Sequence, residues 1–425
     1  MDIVVQKSQN GLQGDFEIPA DKSITHRAFM FASLTNGVVK VNNFSNGQDC
    51  KSTLQIVRDL GCKVTQLTPK TVEIDAKNGY TNMAYKKLDC GNSGTTMRLM
   101  SGILAGKGLN CELFGDKSLS KRPMKRVIAP LEQMGAKISH NDFKAPLVFE
   151  GSKLNAIDYK SPLSSAQVKS CILLAGLFAN GTTTVEEPYK SRNHTELMLE
   201  YLGANIKVDG NKVSISKSDL IPKDIDVAGD ISSAAFFICA ALIVPNSDIT
   251  IKNVGINPTR TGILDVVKEM GANIEILNEK KLSGEPVADL RIKYSNLQGT
   301  TIQGSIIPRL IDELPVIAVL ATQAQGTTIV KDAQDLRNKE ADRIKCLVSE
   351  LTKMGIKIEE TSDGFVINGK QTINGDCEVE VFHDHRLAMS FYVAGLISKK
   401  PVKIKDFQWV DISFPEFLGI MKGLN

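Results

Sequence analysis

The sequence predicts an α/β protein of two domains, each built from three copies of one repeat, and three features lead to this prediction. A segment ending in glycine recurs six times, a turn with an alternating strand recurs in phase with it, and an apolar helix precedes each turn. A chain of 425 residues is longer than one hydrophobic core supports. Six repeats in this length indicate two domains of three repeats with helices packed inside sheets, and a boundary near Gly229.

The glycine-ending segments mark the end of the second helix in each repeat. Glycine accepts the left-handed conformation with which many helices end. The glycines lie about 70 residues apart, and we expect each to separate a helix from a strand. They are Gly61, Gly135, Gly203, Gly271, Gly355 and Gly423.

The first helix of each repeat is apolar nearly all round, a pattern typical of burial on every side. Such burial argues against a solenoid, the main alternative for a repetitive sequence, because a solenoid would expose one face of each helix. The predicted first helices span residues 26–34, 95–104, 166–178, 232–243, 313–322 and 385–397. The strands that follow them begin near residues 36, 108, 181, 247, 326 and 400.

Composition excludes several classes of function. The chain has 51 basic and 48 acidic residues, and its net charge of +3 argues against a nucleic-acid or membrane-surface binder. Its eight cysteines form no CxxC pair or Cys/His cluster, so neither a zinc site nor a redox dithiol is indicated. The N-terminus lacks the apolar core of a signal peptide, and no apolar run reaches the roughly 18 residues of a membrane span. We therefore expect a cytoplasmic protein without a metal.

Polar and basic segments interrupt the apolar pattern, mostly at the starts of the predicted first helices. Lys22, Ser23 and Arg27 open the first helix, where backbone N–H groups and the helix dipole favour an anion. Gly94 leaves bare backbone at the next helix start, and Arg122 lies at a proline bend before a further helix. Taken singly, each segment is explained equally well by a capped helix, a tight turn or a solvated basic cluster.

Two more segments in the first half carry hydroxyl and amide groups. Ser165 and Gln167 lie at a helix start and could bind a polyol or a carboxylate, although ordinary capping explains the serine nearly as well. Ser191 and Arg192 add a hydroxyl and a guanidinium. His194 beside them is more typical of a structural histidine than of a catalytic one.

The second half carries carboxylates among basic residues. Asp312 is followed directly by Glu313, and Arg386 ends an Asp-His-Arg segment. Lys339 and Arg343 lie four residues apart, so we expect them to share one helical face, with Glu340 adjacent. Salt bridges on a helix surface are the alternative interpretation. Because bases recur at equivalent places in several repeats, we predict that they converge on strongly anionic ligands.

These segments together resemble the 5-enolpyruvylshikimate-3-phosphate synthases over essentially the whole chain. The variants SAQVKS and GNSGTTMRL are similar to those of the bacterial second class. The matching motifs are DKSITHR at 21–27, GNSGTTMR at 91–98, LSKRPMKR at 119–126, SSAQVKS at 164–170, SRNHTE at 191–196, GDISSAAFF at 229–237, NPTRTG at 257–262, IPRLIDELP at 307–315, LRNKEADRI at 336–344 and DHRLAM at 384–389.

The resemblance implies the enolpyruvyl transferase fold, with two inside-out α/β domains of three βαβαββ repeats each. The domains would comprise residues 20–229 and residues 1–19 with 230–425, with the active site in the cleft between them. The implied activity is transfer of the enolpyruvyl group of phosphoenolpyruvate to the 5-hydroxyl of shikimate 3-phosphate, without a cofactor. These two small molecules are the implied partners, the chain is expected to be monomeric, and glyphosate, which competes with phosphoenolpyruvate in this family, is an expected inhibitor.

The resemblance also implies roles for individual residues. The implied catalytic residues are Lys22, Asp312 and Glu340. Shikimate 3-phosphate would be bound by Lys22, Ser23, Arg27, Ser165, Ala166, Gln167, Ser191, Arg192, Asp312 and Lys339. Phosphoenolpyruvate would be bound by Lys22, Gly94, Arg122, Gln167, Arg343 and Arg386.

Two departures from the family and two alternative functions stay open at this point. The chain has Asp411-Ile412-Ser413 where some relatives place a lysine before the last Phe-Pro, and His194 where some stack a tyrosine on the substrate ring. The sister family that acts on UDP-N-acetylglucosamine is one alternative, but it opens with Lys-Asn and has a reactive loop cysteine, whereas Ser23 follows Lys22 here and no cysteine adjoins Arg122. A non-catalytic anion-binding protein of the same fold is the other.

Overall fold

The computed structural model of the protein describes residues 1–80 and 85–424. Within these residues the chain divides into two units, each with its own internal contacts. The N unit holds Ala20–Ala228 with Lys281–Glu285. The C unit holds Met1–Pro19, Gly229–Lys280 and the described residues from Pro286 onward.

The helices differ in burial according to their place in the repeat. The first helix of each repeat is buried along nearly its whole length, whereas the second buries one side. In chain order the α-helices of the described residues are α1 Lys22–Leu34, α2 Gln48–Asp59, α3 Gly94–Gly106, α4 Lys125–Gln133, α5 Ala166–Gly176, α6 His194–Tyr201, α7 Ile231–Ile243, α8 Gly262–Glu269, α9 Ile307–Leu310, α10 Leu314–Ala321, α11 Arg343–Lys353, α12 His385–Gly395 and α13 Phe417–Leu424.

The strands are short, and buried residues alternate with more exposed ones along many of them. Their bounds in the same residues are β1 Ile3–Val5, β2 Gln13–Glu17, β3 Val38–Asn42, β4 Lys63–Thr68, β5 Thr71–Asp75, β6 Lys86–Asp89, β7 Cys111–Phe114, β8 Lys137–Asn141, β9 Lys144–Glu150, β10 Asp158–Lys160, β11 Thr182–Glu186, β12 Ile206–Asp209, β13 Lys212–Ser216, β14 Ile225–Asp226, β15 Asp248–Gly255, β16 Asn273–Leu282, β17 Glu285–Lys293, β18 Thr301–Ile302, β19 Gly326–Val330, β20 Ile358–Glu360, β21 Phe365–Gly369, β22 Cys377–Val379 and β23 Val402–Ile404.

Each repeat forms one small sheet around a central strand that follows the first helix. The sheets of the N unit have the orders β14-β3-β5-β4, β6-β7-β9-β8 and β10-β11-β13-β12. Those of the C unit are β16-β17-β15-β2, β18-β19-β21-β20 and β1-β23-β22. In every sheet the central strand has one parallel and one antiparallel partner, for example β6 and β9 beside β7. This pattern is the βαβαββ repeat.

Two repeats exchange their first strands. Strand β14 lies directly before α7, yet it pairs in parallel with β3 in the N unit. Strand β2 lies before α1, yet it pairs in parallel with β15 in the C unit. In addition, β1 pairs antiparallel with β23 and fills the place of a hairpin strand in the last repeat. The first 19 residues therefore complete two sheets of the C unit.

The predicted first helices are found as α1, α3, α5, α7, α10 and α12, and they form the cores. Helix α3 packs against α1 and α5, while α7, α10 and α12 pack on one another. Most bounds agree with the prediction within two residues, but α1 begins at Lys22 rather than His26. The reason is the Asp21 side chain, which accepts a hydrogen bond from the Ile24 N–H at 2.9 Å and caps the helix before its polar first turn.

The prediction that a left-handed glycine ends the second helix of each repeat is confirmed in five repeats and wrong in the last. The first five of these glycines have φ between 83° and 97°, the left-handed region that glycine adopts without strain. Gly423 instead lies within α13. The last copy of the segment is therefore helical at the position where the other five have a left-handed glycine.

Helices α3 and α5 approach each other closely because α3 carries glycine on the facing side. A Cβ atom added to Gly102 would lie only 2.1 Å from the Cys171 carbonyl oxygen. One added to Gly106 would lie 2.7 Å from the Phe178 ring and 3.3 Å from Ala175. Any larger side chain at Gly102 would force the two helices apart.

We expect Gly102→Ala to lower the free energy of unfolding by about 1–3 kcal/mol, the usual cost of overpacking a core. The matched control is Gly419→Ala in α13, where no atom lies within 4 Å of the added Cβ. There alanine should stabilise the helix by up to about 1 kcal/mol. Urea denaturation of the two variants and the wild type measures both changes. Equal midpoints for Gly102→Ala and wild type would contradict the close helix contact.

Candidate functional site

Polar side chains are concentrated at the N-terminal ends of the buried helices. Ser93, Ser165 and Asp384 are the N-cap residues of α3, α5 and α12, and each side chain accepts a backbone N–H hydrogen bond. A helix start presents unpaired N–H groups and the positive end of the helix dipole. These ends are therefore suited to hold anionic ligands, as the sequence analysis expected.

At the start of α1, Lys22 is the accessible cation. Its side chain is 46% exposed and its ammonium forms an ion pair with Asp49 on α2. Burial alone would raise the pKa of Asp49, but Lys22 holds that pKa below its usual range. Ser23 lies next to Lys22 and is partly buried.

Arg27, one turn further along α1, is built into the unit. Its Nε donates to Thr195 Oγ1 at 2.7 Å, its Nη2 to Ser170 Oγ at 2.9 Å, and its Nη1 to the Ser23 carbonyl at 3.0 Å. Only 3% of the residue is exposed, and burial lowers the pKa of its guanidinium to about 10. Arg27 therefore fixes α1 against α5 and α6.

The start of α3 gathers guanidinium groups. A Cβ added to Gly94 would lie 2.9 Å from Arg98 Nη1 and 3.3 Å from Arg122 Nη1. Arg98 also donates to Gln167 Oε1 at 2.7 Å. Burial, with the charges of Arg122 and Arg126, lowers the pKa of Arg98 to about 10. Gly94, Arg122 and Gln167 are thus brought together around a positively charged helix start.

Arg126, whose charge acts on Arg98, is the second residue of α4, which begins at Lys125.

A buried ion triad lies under the start of α5. Lys169 Nζ is 2.9 Å from Glu187 Oε2 and 2.8 Å from Glu196 Oε1, and all three side chains are at most 3% exposed. Glu187 in turn accepts hydrogen bonds from the Ser165 N–H and the Ser191 hydroxyl, both at 2.8 Å. The triad therefore holds the two predicted substrate-binding serines in place.

Ala166, the residue after Ser165, begins α5, and Arg192 follows Ser191. His194, two residues on, is buried, and its Nδ1 hydrogen-bonds Glu285 Oε1 at 2.8 Å. The structural interpretation of His194 is consistent with this contact.

The C unit holds a second charged cluster, centred on Asp312. Its Oδ1 lies 3.4 Å from Arg343 Nη1, 3.8 Å from Lys339 Nζ and 4.0 Å from Arg386 Nε. Glu340 joins the cluster by accepting a hydrogen bond from Arg343 Nη2 at 2.7 Å. The side chain of Glu340 is 48% exposed, so one carboxylate of the cluster remains accessible to solvent.

The expectation that Lys339 and Arg343 share a helical face is wrong. Helix α11 begins only at Arg343, because the Asp342 side chain caps it by accepting from the Lys345 N–H at 3.1 Å. Lys339 lies in extended backbone after a short 3₁₀ helix, Gln334–Asn338. The two bases still meet at Asp312, but from different elements.

Asp384 also belongs to this cluster, although no role was predicted for it from the sequence. Its side chain is fully buried and accepts a hydrogen bond from Arg343 Nε at 2.6 Å. It also caps α12 by accepting a hydrogen bond from the Arg386 N–H at 2.8 Å. Burial alone would raise the pKa of Asp384, but the Arg343 charge holds it below its usual range. One carboxylate thus orients the Arg343 side chain and fixes the backbone at Arg386.

Glu313, next to Asp312, turns into the core. It accepts a hydrogen bond from the Ser232 hydroxyl, which also accepts from Arg260 Nη2 at 2.7 Å. Burial, followed by the charge of Asp312, raises the pKa of Glu313. The two adjacent carboxylates therefore have different environments, one facing the cluster and the other buried.

Two further findings concern the described ranges 1–80 and 85–424. No group of three or more His, Cys, Asp and Glu side chains in them is arranged to hold a metal ion. No helix in the same ranges is both long and apolar enough to cross a membrane.

Comparison with known proteins identifies relatives along the whole chain. The family model described as EPSP synthase (3-phosphoshikimate 1-carboxyvinyltransferase) matches residues 6–421. A protein named 3-phosphoshikimate 1-carboxyvinyltransferase from Thermoanaerobacter sp. (strain X514) is 51% identical over 98% of each chain. Another of that name, from Petrotoga mobilis, is 48% identical over 100% of each.

Solved structures give the same result. EPSP synthase from Acinetobacter baumannii has a TM-score of 0.93 at 40% identity, with 100% of this chain and 98% of that chain covered. The enolpyruvyl transferase NikO from Streptomyces tendae has a TM-score of 0.80 at 16% identity, with 100% of this chain and 97% of that chain covered, and it shows the fold alone. The predicted fold class is confirmed.

We expect Lys169→Met to destabilise the protein by about 3–5 kcal/mol, because it leaves two buried carboxylates without their cation. The control is Lys160→Met in the same unit, since Lys160 is 85% exposed and 4.0 Å from Glu186. Exposed ion pairs contribute only about 0–1 kcal/mol. Urea denaturation distinguishes the two variants, and similar losses in both would contradict a stabilising role for the triad.

Proposed function

We propose, since this chain belongs to the EPSP synthase family, that it transfers the enolpyruvyl group of phosphoenolpyruvate to the 5-hydroxyl of shikimate 3-phosphate. The observation that carries the proposal is the family match over residues 6–421, with a relative of that activity name at 51% identity. Inorganic phosphate is the second product. The reaction belongs to the shikimate pathway, which leads to chorismate and the aromatic amino acids.

Shikimate 3-phosphate would be bound mainly through the starts of α1 and α5. Ser165, whose N–H donates to Glu187, offers its hydroxyl to the phosphate, and Arg192 offers a guanidinium. Ser191 donates its hydroxyl to Glu187, so it would exchange that bond for one to the phosphate. The other proposed ligands of this substrate are Lys22, Ser23, Arg27, Ala166, Gln167, Asp312 and Lys339. Because Arg27 is buried and bonded to three protein groups, we expect it to act chiefly by fixing Ser23.

Phosphoenolpyruvate would be bound by guanidinium groups. Bidentate pairing suits its carboxylate and phosphate, and Arg122, Arg343 and Arg386 are the proposed donors. Lys22, Gly94 and Gln167 complete the set. The proposal is supported by the positive charge around Gly94, by the orientation that Asp384 gives to the Arg343 side chain, and by its hydrogen bond from the Arg386 backbone N–H.

The proposed chemistry uses protein side chains alone. The 5-hydroxyl of shikimate 3-phosphate adds to C2 of phosphoenolpyruvate while C3 accepts a proton, which gives a tetrahedral intermediate. Loss of a proton from C3 and cleavage of the C2–O bond then release phosphate. We assign the transfers at C3 to Glu340, acceptance of the hydroxyl proton to Asp312, and protonation of the bridging oxygen to Lys22.

One assay separates this function from its alternatives. Release of phosphate from phosphoenolpyruvate is followed with shikimate 3-phosphate and, separately, with UDP-N-acetylglucosamine as acceptor. We expect turnover with the first acceptor only. Turnover with the second would assign the chain to the sister activity, and none with either would favour a non-catalytic binding protein. A monomeric state and a cytoplasmic location stay predictions.

We expect Glu340→Gln to lower kcat by about 10²-fold or more, because the amide cannot exchange a proton with C3. Its matched control is Glu360→Gln, which also removes a carboxylate paired with an arginine, at 2.8 Å from Arg337, but outside the Asp312 cluster. Steady-state kinetics of both variants provide the measurement. Near-normal turnover of Glu340→Gln would remove Glu340 from the catalytic role.

We expect Gly94→Ala to raise the inhibition constant of glyphosate by about tenfold or more, with a smaller rise in KM for phosphoenolpyruvate. The added methyl would meet Arg98 Nη1 at 2.9 Å and Arg122 Nη1 at 3.3 Å, so it occupies room that an extended inhibitor needs. Gly423→Ala, with open space around its Cβ, is the control. If both variants kept the wild-type constant, Gly94 would not control the inhibitor's space.

A further inference from the structure

A chain of buried hydrogen bonds connects α1, α2 and α3 in the N unit. His26 Nδ1 lies 2.7 Å from Thr53 Oγ1, Thr53 Oγ1 lies 2.6 Å from Thr96 Oγ1, and Thr96 Oγ1 donates to Ser93 Oγ at 2.7 Å. All four residues are completely buried. Such a network is costly to disrupt, because each lost member leaves a polar neighbour unpaired in the core.

The direction of the bonds follows from the number of protons. Thr96 has one hydroxyl proton and donates it to Ser93, so Thr96 accepts a hydrogen bond from the Thr53 hydroxyl. Thr53 in turn accepts a hydrogen bond from His26. His26 must then carry its proton on Nδ1 and present a bare Nε2. In agreement, Nε2 is buried without a hydrogen-bond partner among the residues that the structure describes. Burial also lowers the pKa of His26 to about 3, so the ring is neutral at pH 7.

The two ends of this hydrogen-bond chain, His26 and Ser93, lie at the predicted substrate-binding segments. His26 belongs to the same helix as Lys22 and Ser23, one turn further along. Ser93 caps α3 by accepting from the Thr96 N–H at 3.1 Å, and Gly94 is the first residue of that helix. The chain therefore sets the position of the α3 start relative to the α1 start.

We infer that Thr53, with His26 and Thr96, forms a positioning chain that holds the Ser93–Gly94 turn in place for phosphoenolpyruvate. The inference rests on the proposed function. Binding of shikimate 3-phosphate should depend on the chain much less, because its serines are held independently by Glu187. Because all four residues are completely buried, we expect them to act through the turn and not by contact with substrate.

Two substitutions at Thr53 separate the hydroxyl from the shape of the side chain. Thr53→Val keeps the shape and removes the hydroxyl, whereas Thr53→Ser keeps the hydroxyl. We expect Thr53→Val to raise KM for phosphoenolpyruvate about tenfold, which corresponds to about 1.4 kcal/mol of binding. KM for shikimate 3-phosphate should change less than about twofold, and Thr53→Ser should resemble the wild type.

Thr183→Val is the matched control. Thr183 is a buried threonine of the same unit, and its Oγ1 has no hydrogen-bond partner among the described residues. The substitution should leave both KM values unchanged. Thr96→Val breaks the same chain one link further on, and the double variant with Thr53→Val should be no worse than either single variant, because both remove one network.

The outcomes are distinguishable. Wild-type protein without enolpyruvyl transfer would overturn the proposed function and this inference with it. If the wild type is active, three results would overturn the inference alone. They are an unchanged KM for phosphoenolpyruvate in Thr53→Val, an equal rise in both KM values in that variant, and no recovery in Thr53→Ser. If Thr53→Val does not fold, Thr96→Val is judged by the same criteria. If neither variant folds, the hydrogen-bond chain is purely structural, and the inference is overturned as well.

Discussion

Burial of the first helix of each repeat on every side is the constraint on which the rest of the structure depends. A helix enclosed in this way has no polar face, so its polar side chains are collected at its ends. The N-terminal end also carries the positive end of the helix dipole. The same packing that builds the cores through contacts such as Gly102 against Cys171 therefore produces several helix starts suited to anions. The predicted binding residues at a helix start and the core residues of its body therefore belong to the same helix.

Both units use buried carboxylates to orient groups that we propose as ligand-binding residues. In the N unit, Glu187 accepts from Ser165 and Ser191 while Lys169 balances its charge. In the C unit, Asp384 accepts from the Arg343 side chain and caps α12 ahead of Arg386. Isolated buried charges are costly, and a paired, fully hydrogen-bonded charge gives a fixed geometry in return. Preorganised cations and hydroxyls of this kind are what a reaction between two anionic substrates requires.

The repeat, the buried helices and their order could be predicted from the sequence because each depends on local patterns of glycine and apolar residues. The exchange of β2 and β14 does not follow from local patterns, since both strands precede a first helix and nothing local selects the partner sheet. Only the family resemblance placed residues 1–19, and with them β2, in the second domain. At the candidate site, the polar groups at helix starts were assigned to ligands from the sequence, and their binding roles stay predictions. The contacts of Glu187 and Asp384 were not predicted, because their partners are distant in sequence. Lys169 offered a usable signal: a lysine within an otherwise apolar buried helix requires a buried carboxylate. The predicted helix through Lys339 failed because Asp342 caps α11 later than the charge spacing suggested.

The exchanged and added strands also have a consequence for synthesis of the chain on the ribosome. The strands of the N unit are all present once Asp226 has been made. The C unit must instead keep its first two strands unpaired until their partners appear, and Ile3 finally pairs with Ile404. Contacts so distant in sequence slow folding, and unpaired strand edges invite association with other chains. The amino-terminal segment therefore contains the strands of this protein that wait longest for their partners during translation.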